Sequence, residues 1–194
     1  MKTTYIVLAL CFANFIALFA QEDSSSKSNI GIKGGYNMAS VNFDGDGETE
    51  QRHGFHIGLY GESFINDNFA IQPEVMFSQQ GYVIANGNGK FTQKLNYINI
   101  PLMFKAYPTN NFFLEVGPQI GLAVTHKEEY SNGLLRNNNE YDPQKFDWGM
   151  NFGTGIKSAS GLSIGVRYHL GLGDLYEDSK AYNRVLQFSL GIDF

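Results

Sequence analysis

The chain has 194 residues, which is enough for one domain and leaves little room for two. Its formal net charge of −5 at neutral pH, with no basic stripe in the sequence, argues against nucleic-acid binding. Gly (22), Phe (16) and Tyr (11) are abundant and only 17% of the residues are charged, which favours an all-β protein of many short strands.

The first 20 residues have the pattern of a secretory signal peptide. A lysine at the second position is followed by a largely apolar stretch over residues 5–19, and we expect cleavage near Ala20. Residues 21–29 are polar and rich in serine, which predicts a flexible leader. The single cysteine, Cys11, lies within the signal segment, so we expect no disulfide in the exported protein.

Segments with an apolar residue at every second position recur from residue 30 to the end of the chain. They predict strands at residues 30–38, 55–59, 69–77, 98–104, 114–124, 146–156, 162–172 and 186–194. Short turns at 66–68, 108–111 and 158–161 alternate with longer polar loops at 42–52, 83–93, 126–145 and 174–183. Outer-membrane barrels have an even number of strands, short periplasmic turns and longer extracellular loops. The sequence therefore predicts an eight-stranded antiparallel up-and-down transmembrane β-barrel over residues 30–194.

Apolar and polar residues alternate along the strands of a membrane barrel and of a soluble lipocalin-like carrier alike. The composition of the polar face therefore has to distinguish the two. Glycine is frequent on this face; it weakens a solvated strand, but inside a narrow barrel it makes room for larger neighbours. The same face carries nine ionisable residues, Lys33, Glu62, Glu74, Lys105, Glu115, Asp147, Lys157, Arg167 and Asp193. Pairing among them would offset the cost of burying charge. We therefore place the polar face in the lumen and the uncharged apolar rows against lipid.

Three prolines, Pro73, Pro101 and Pro118, fall within predicted strands. Proline removes a hydrogen-bond donor from the ladder, and a closed barrel has no edge strand to accommodate it. We expect local bulges to absorb these residues.

Six segments resemble, in order, strands of the PorT-like family of small outer-membrane barrels from Bacteroidetes. They are GIKGGYNMA (31–39), IQPEVMFSQQG (71–81), YINIPLMFK (97–105), LEVGPQIG (114–121), GMNFGTG (149–155) and VRYHLGLG (166–173). The resemblance covers essentially the whole mature chain and includes the three prolines. It implies an outer-membrane location and a barrel fold; most such proteins have no assigned activity, and one branch is associated with assembly of a protein-secretion system. The last strand ends in Phe194, as in barrels that the outer-membrane assembly machinery handles.

Chemistry in the lumen or at the rim is a weaker hypothesis than a structural role. Paired carboxylates can act as acid and base, but a salt-bridge network is the simpler interpretation in a narrow lumen. His53 and His56 point to opposite faces of a strand and cannot share a metal ion, and His169 faces the lumen without a second ligand. His53 and His126 lie near the predicted outer rim, so a lipid-modifying enzyme remains an alternative. We expect no catalytic site, no metal and no other cofactor.

The sequence thus predicts an outer-membrane protein, in contact with membrane lipid and monomeric, whose lumen is plugged. We expect its loops to contact an extracellular protein or glycan, because polar loops on a rigid scaffold commonly carry binding. The loop at 125–144, rich in Asn and Glu and containing Tyr130 and Tyr141, is the candidate contact surface. A narrow pore for small solutes is the alternative, although eight strands enclose little space.

Overall fold

The computed structural model describes residues 28–43, 47–86, 89–131, 136–139, 146–175 and 181–194. The predicted signal peptide and residues 21–27 of the predicted leader lie outside these ranges, so both stay predictions. Among the residues described, no helix is long and apolar enough to cross a membrane.

Eight long strands form the sheet, and each contains the period-two pattern seen in the sequence. They are β1 (Ser28–Phe43), β2 (Glu50–Asn66), β3 (Phe69–Asn86), β4 (Gly89–Ala106), β5 (Phe112–Ser131), β6 (Phe146–Lys157), β7 (Leu162–Gly171) and β8 (Ala181–Asp193). Two short strands, Gly47–Glu48 and Arg136–Asn139, pair with the ends of β1 and β5. Each long strand pairs antiparallel with the next one along the chain, and β8 pairs with β1. The predicted closed eight-stranded barrel is confirmed.

The seam between the first and last strands is continuous. It extends from the Gly31–Asp193 pair to the Phe43–Ala181 pair, and the amide of Phe194 donates to the carbonyl of Ile30 at 2.9 Å. The predicted short turns join β2 to β3, β4 to β5 and β6 to β7, at the same end of the barrel as this last contact. We call this the short-turn end and the opposite end the hairpin end.

The connections at the hairpin end are shorter than predicted because the strands continue into them. The loop predicted at 83–93 is instead the end of β3 and the start of β4, and β5 extends to Ser131 within the loop predicted at 126–145. Most outward residues there are polar, Val83 being an exception, so the apolar row that marks a strand lower in the barrel is lost. Residues 44–46, 87–88, 132–135, 140–145 and 176–180 lie outside the described part of the chain.

Large apolar side chains cover the outside of the barrel on every long strand. Representative exposed residues are Ile32, Ile57, Phe69, Phe104, Leu114, Phe152, Ile164 and Leu190. An apolar surface of this extent marks contact with a membrane. We call these outward rows the apolar belt.

The prolines do not lie at bulges, so that expectation is wrong. Register shifts occur between Gln51 and His56, between Phe64 and Asn66, and near Asn96. Beside Pro73 and Pro101 the ladder is interrupted over two residues without a change of register. Pro118 lies in such an interruption in the ladder with β4, whereas pairing with β6 continues through it. The sheet therefore accommodates the missing N–H of each proline by leaving out a few backbone hydrogen bonds, and no extra residue is inserted as in a bulge.

Candidate functional site

The interior of the short-turn end holds a group of four charges. Glu62 on β2 accepts hydrogen bonds from Lys105 at 2.8 Å and from Lys157 and Tyr107. Lys157 also contacts Asp193 at 2.6 Å. Two lysines and two carboxylates from four strands thus meet in one place, and we call them the lower charge group.

Aromatic rings surround the lower charge group. Tyr107 and Phe113 pack with Ala70 and Phe64 in a small apolar cluster. The ammonium of Lys105 lies 3.9 Å from the centroid of the Phe113 ring, a distance at which the ring's negative face stabilises a cation. The cation is therefore solvated by protein groups on several sides.

A second group of four charges crosses the middle of the lumen, and we call it the central charge group. Arg167 on β7 donates two parallel hydrogen bonds of 2.8 Å to Glu74 on β3 and one of 2.7 Å to Glu115 on β5. Lys33 on β1 donates to Glu74 at 2.9 Å, and Gln72 donates at 2.6 Å. Forked pairing of this kind is the strongest arrangement available to a guanidinium and a carboxylate. It ties together strands on opposite sides of the barrel.

Glycine on the lumen face creates the space that this group occupies. A Cβ atom on Gly153 would lie 2.6 Å from Oε1 of Glu115 and 2.9 Å from the carbonyl oxygen of Val166. Since real Cβ atoms do not approach so closely, the position of Glu115 depends on the missing side chain at Gly153.

Neutral polar side chains lie between the central charge group and the hairpin end. His56 contacts Asn37 at 2.7 Å and Ser189 at 2.9 Å. His169 contacts Asn151 at 2.9 Å, and its Nε2 lies 3.5 Å from Asp147. Buried polar groups need such partners, because an unpaired one is costly.

All nine charged residues predicted for the lumen lie on its inner face. The structure brings together Glu62, Lys105, Lys157 and Asp193 in the lower group, and Lys33, Glu74, Glu115 and Arg167 in the central group. Each group has two positive and two negative members. Asp147 belongs to neither and instead accepts a hydrogen bond of 3.1 Å from Asn183.

The interior of the hairpin end contains an apolar cluster among buried polar side chains such as Gln93 and Asn183, and the sequence did not predict this cluster. Its buried members are Val41, Tyr82, Leu95, Tyr97, Ala123, Leu175 and Ala181, with Phe43 and Phe91 packed against them. We call these residues the outer apolar cluster. Most of its members lie in or beside segments predicted as polar loops. A signal was present in β1, where Ala39, Val41 and Phe43 continue the inward row.

The structure does not bring His53 and His126 together. His53 lies on β2 and its ring stacks on Tyr36, with 2.6 Å between its Nδ1 and the tyrosine hydroxyl. His126 lies on β5, and β3 and β4 separate the two strands. Within the described ranges, no three His, Cys, Asp or Glu side chains are grouped so that they could hold a metal ion.

A closed barrel with an apolar exterior and paired charges inside defines the class of small outer-membrane β-barrel proteins. The chain belongs to the family of outer membrane protein beta-barrel domains, which residues 19–177 match. The protein is accordingly an outer-membrane protein.

Solved structures share this fold at low sequence identity. Neisserial surface protein A is 13% identical with a TM-score of 0.59, and the match covers 87% of this chain and 99% of that one. The attachment invasion locus protein Ail of Yersinia pestis is 15% identical with a TM-score of 0.52 over the same shares of each chain. A further structure of Ail, with a TM-score of 0.51, is a complex with the heparin analogue sucrose octasulfate. No curated protein sequence matches the chain significantly.

Proposed function

We propose that this protein is a closed, non-conducting barrel with a structural or interaction role, and that its hairpin end contacts the surroundings. The observation that carries the proposal is the sequence of buried layers along the lumen. The lower charge group, the central charge group and the outer apolar cluster all consist of side chains that meet across the barrel. Water and ions would have to displace all three layers to pass.

The charge pairing favours this role over a narrow pore. In a water-filled channel, lysine and glutamate side chains remain in contact with water. Here Glu62 and Glu74 are fully buried, and each pairs with two cationic side chains. Eight strands generally enclose a space that side chains can fill. The nine lumen residues therefore act, in our proposal, as a structural network.

Conductance across a planar lipid bilayer tests the closed state. We expect no discrete current steps from the refolded protein under conditions in which a porin in the same bilayer conducts. Reproducible steps that scale with the amount of inserted protein would favour the pore instead.

Cysteine labelling on intact cells tests which end faces outward. The only native cysteine lies in the predicted signal segment, so single cysteines introduced by Lys127→Cys and Asp67→Cys report separately on the hairpin end and the short-turn end. We expect a membrane-impermeant maleimide to label Lys127→Cys on intact cells and Asp67→Cys only after lysis. The opposite result would place the hairpin end in the periplasm and remove the proposed interaction role.

The contact surface in this proposal is the hairpin end around β5. Residues 125–131 of the candidate loop are strand, and residues 128–131 pair with Arg136–Asn139. Residues 132–135 and 140–144 lie outside the described ranges. The Ail complex with a heparin analogue supports a sulfated glycan as the first ligand to try. Binding of cells that produce the protein to immobilised heparin, with cells lacking it as control, is the direct measurement.

Several finer features belong to the same proposal. The order of the six sequence segments supports PorT-like kinship, the apolar stretch at residues 5–19 supports signal cleavage near Ala20, and Phe194 supports handling by the barrel-assembly machinery. We propose a monomer, since one chain closes the sheet.

We propose no enzymatic role, because the rim histidines lie on separated strands. Lipid extracts from cells producing the wild type and His126→Ala should be identical by mass spectrometry. A lipid modification that disappears in the variant would establish the enzyme.

A further inference from the structure

A pocket of about 700 Å³ lies on the outer surface of β2, β3, β4 and β5, away from the lumen. Its lining includes the cationic side chains of Arg52, Lys90, Lys94 and Lys127, together with His53, Val83 and neutral polar residues. Among the described residues that line it, none is acidic. The pocket is therefore locally positive, although the net charge of the whole chain is −5.

The pocket begins where the apolar belt ends. On β2 the outward row changes from Phe55 to His53, and on β4 it changes from Ile98 to Asn96 and then Lys94. The ladder sets Asn96 beside Gln79 on β3 and beside Thr125 on β5, so the change occurs at one level on neighbouring strands. Because a strand rises about 3.3 Å per residue and barrel strands are tilted by about 40°, Lys94 lies roughly 13 Å beyond Ile98 along the strand and about 10 Å above it along the membrane normal, near headgroup level.

Two lysines face each other within this pocket. Lys94 on β4 is the direct cross-strand partner of Lys127 on β5, an arrangement that is destabilising between like charges. Glu129 contacts Lys94 at 2.6 Å and offsets one charge. Arg52 donates to the carbonyl oxygens of Gln80 and Leu95, which hold its position, and Glu129 is close enough to interact with the Arg52 charge as well. One carboxylate thus faces several cationic side chains. An anion bound between these groups would relieve the repulsion.

We propose that this pocket binds the phosphate of a phosphorylated lipid headgroup in the outer leaflet of the membrane. The lipid's acyl chains would lie along Phe55, Phe77 and Ile98 while its phosphate contacts Lys94 and Lys127. A lipid matches both halves of this surface, because the belt below is apolar and the pocket directly above it is basic. A soluble anion would use only the upper half.

Titration of the purified, folded barrel with bisphosphorylated lipid A, followed by native mass spectrometry, tests the proposal. We expect saturable binding that the double variant Lys94→Gln/Lys127→Gln weakens by at least about tenfold, since each basic side chain at an anionic lipid surface contributes roughly fivefold. The charge-preserving pair Lys94→Arg/Lys127→Arg should bind as the wild type does. Arg184→Gln is the matched control, because Arg184 lies at the hairpin end of β8, outside the pocket.

Four results would overturn the proposal. They are no saturable binding by the wild type, unchanged binding by the double Gln variant, an equal loss in Arg184→Gln, and equally tight binding of dephosphorylated lipid A. If the double Gln substitution abolished binding to heparin while leaving lipid A binding intact, the pocket would belong to a soluble glycan. The mobility shift of unboiled protein on SDS gels shows for each variant that the barrel is folded.

Discussion

The membrane-spanning part of the barrel and its hairpin end differ in the polarity of their inward and outward side chains. Between the short turns and the level of Phe55, charged side chains point inward and apolar ones face outward. Above that level Val41, Leu95 and Tyr97 point inward, while Lys94 and Lys127 face outward. The sheet continues across the boundary, although two register shifts lie at that level, between Gln51 and His56 and near Asn96. The change in polarity therefore follows from what surrounds the sheet, which is lipid below the boundary and water above it.

The comparison separates two ways of stabilising the interior of one barrel. At the hairpin end water surrounds the sheet, and burial of apolar side chains stabilises the interior as in a soluble protein. Within the membrane the surrounding lipid is itself apolar, so the interior is stabilised by hydrogen-bonded ion pairs. Removing one partner of such a pair is costly because the other charge stays buried. Each region therefore has a characteristic sensitivity to mutation.

Loss of Arg167 should have the largest effect on stability. Arg167→Ala leaves Glu74 and Glu115 buried with only Lys33 as a charged partner, so we expect the free energy of unfolding to fall by about 3 to 5 kcal/mol. The measurement is urea unfolding in phospholipid vesicles, followed by fluorescence of Trp148, the single tryptophan. Arg184→Ala removes an outward-facing arginine and should cost less than 1 kcal/mol. Equal losses in the two variants would show that the central charge group contributes little.

Truncation in the outer apolar cluster should have the next largest effect. Leu95 is 0% exposed, and Leu95→Ala should lower the free energy of unfolding by about 2 to 3 kcal/mol through lost burial and the cavity left behind. Leu190 on the apolar belt is 59% exposed, so Leu190→Ala creates no cavity and lipid fills the space. A larger loss at Leu190 than at Leu95 would mean that the cluster is not a packed core.

These two regions also differ in how far the sequence predicts them. Glu74 and Arg167 are predicted to point inward because they fall between the apolar, outward positions of clearly alternating strands. That they pair with each other follows only from closure of the barrel, which sets β3 opposite β7. The outer apolar cluster was missed because the residues between its members are polar and the segments are rich in Asn and Gly, which predicts loops. Its members come together from five strands and the segment after β7, and no local pattern carries that information.

Filling the space beside the central charge group should have a smaller effect. Gly153→Ala places a methyl group against Glu115 and the backbone of Val166, so we expect a loss of about 1 to 2 kcal/mol by the same unfolding measurement. Gly165→Ala is the matched control, because its added Cβ would lie 3.3 Å from the carbonyl oxygen of Thr154 and 3.6 Å from Phe113. We expect that variant to be nearly as stable as the wild type. If both substitutions were neutral, the glycines of the lumen face would not be shaping the network.

The ion pair outside the barrel should have the smallest effect. Glu129→Gln breaks the contact with Lys94, whose side chain is one-third exposed, so water replaces the lost partner and the stability should change by less than about 1 kcal/mol. The same substitution leaves Lys94 and Lys127 opposed without the nearby carboxylate, and lipid A binding should therefore become tighter. Unfolding in vesicles and the lipid titration measure the two effects separately. A loss of stability comparable to that of Arg167→Ala would show that ion pairs inside and outside the barrel are equivalent, contrary to the distinction between the two regions.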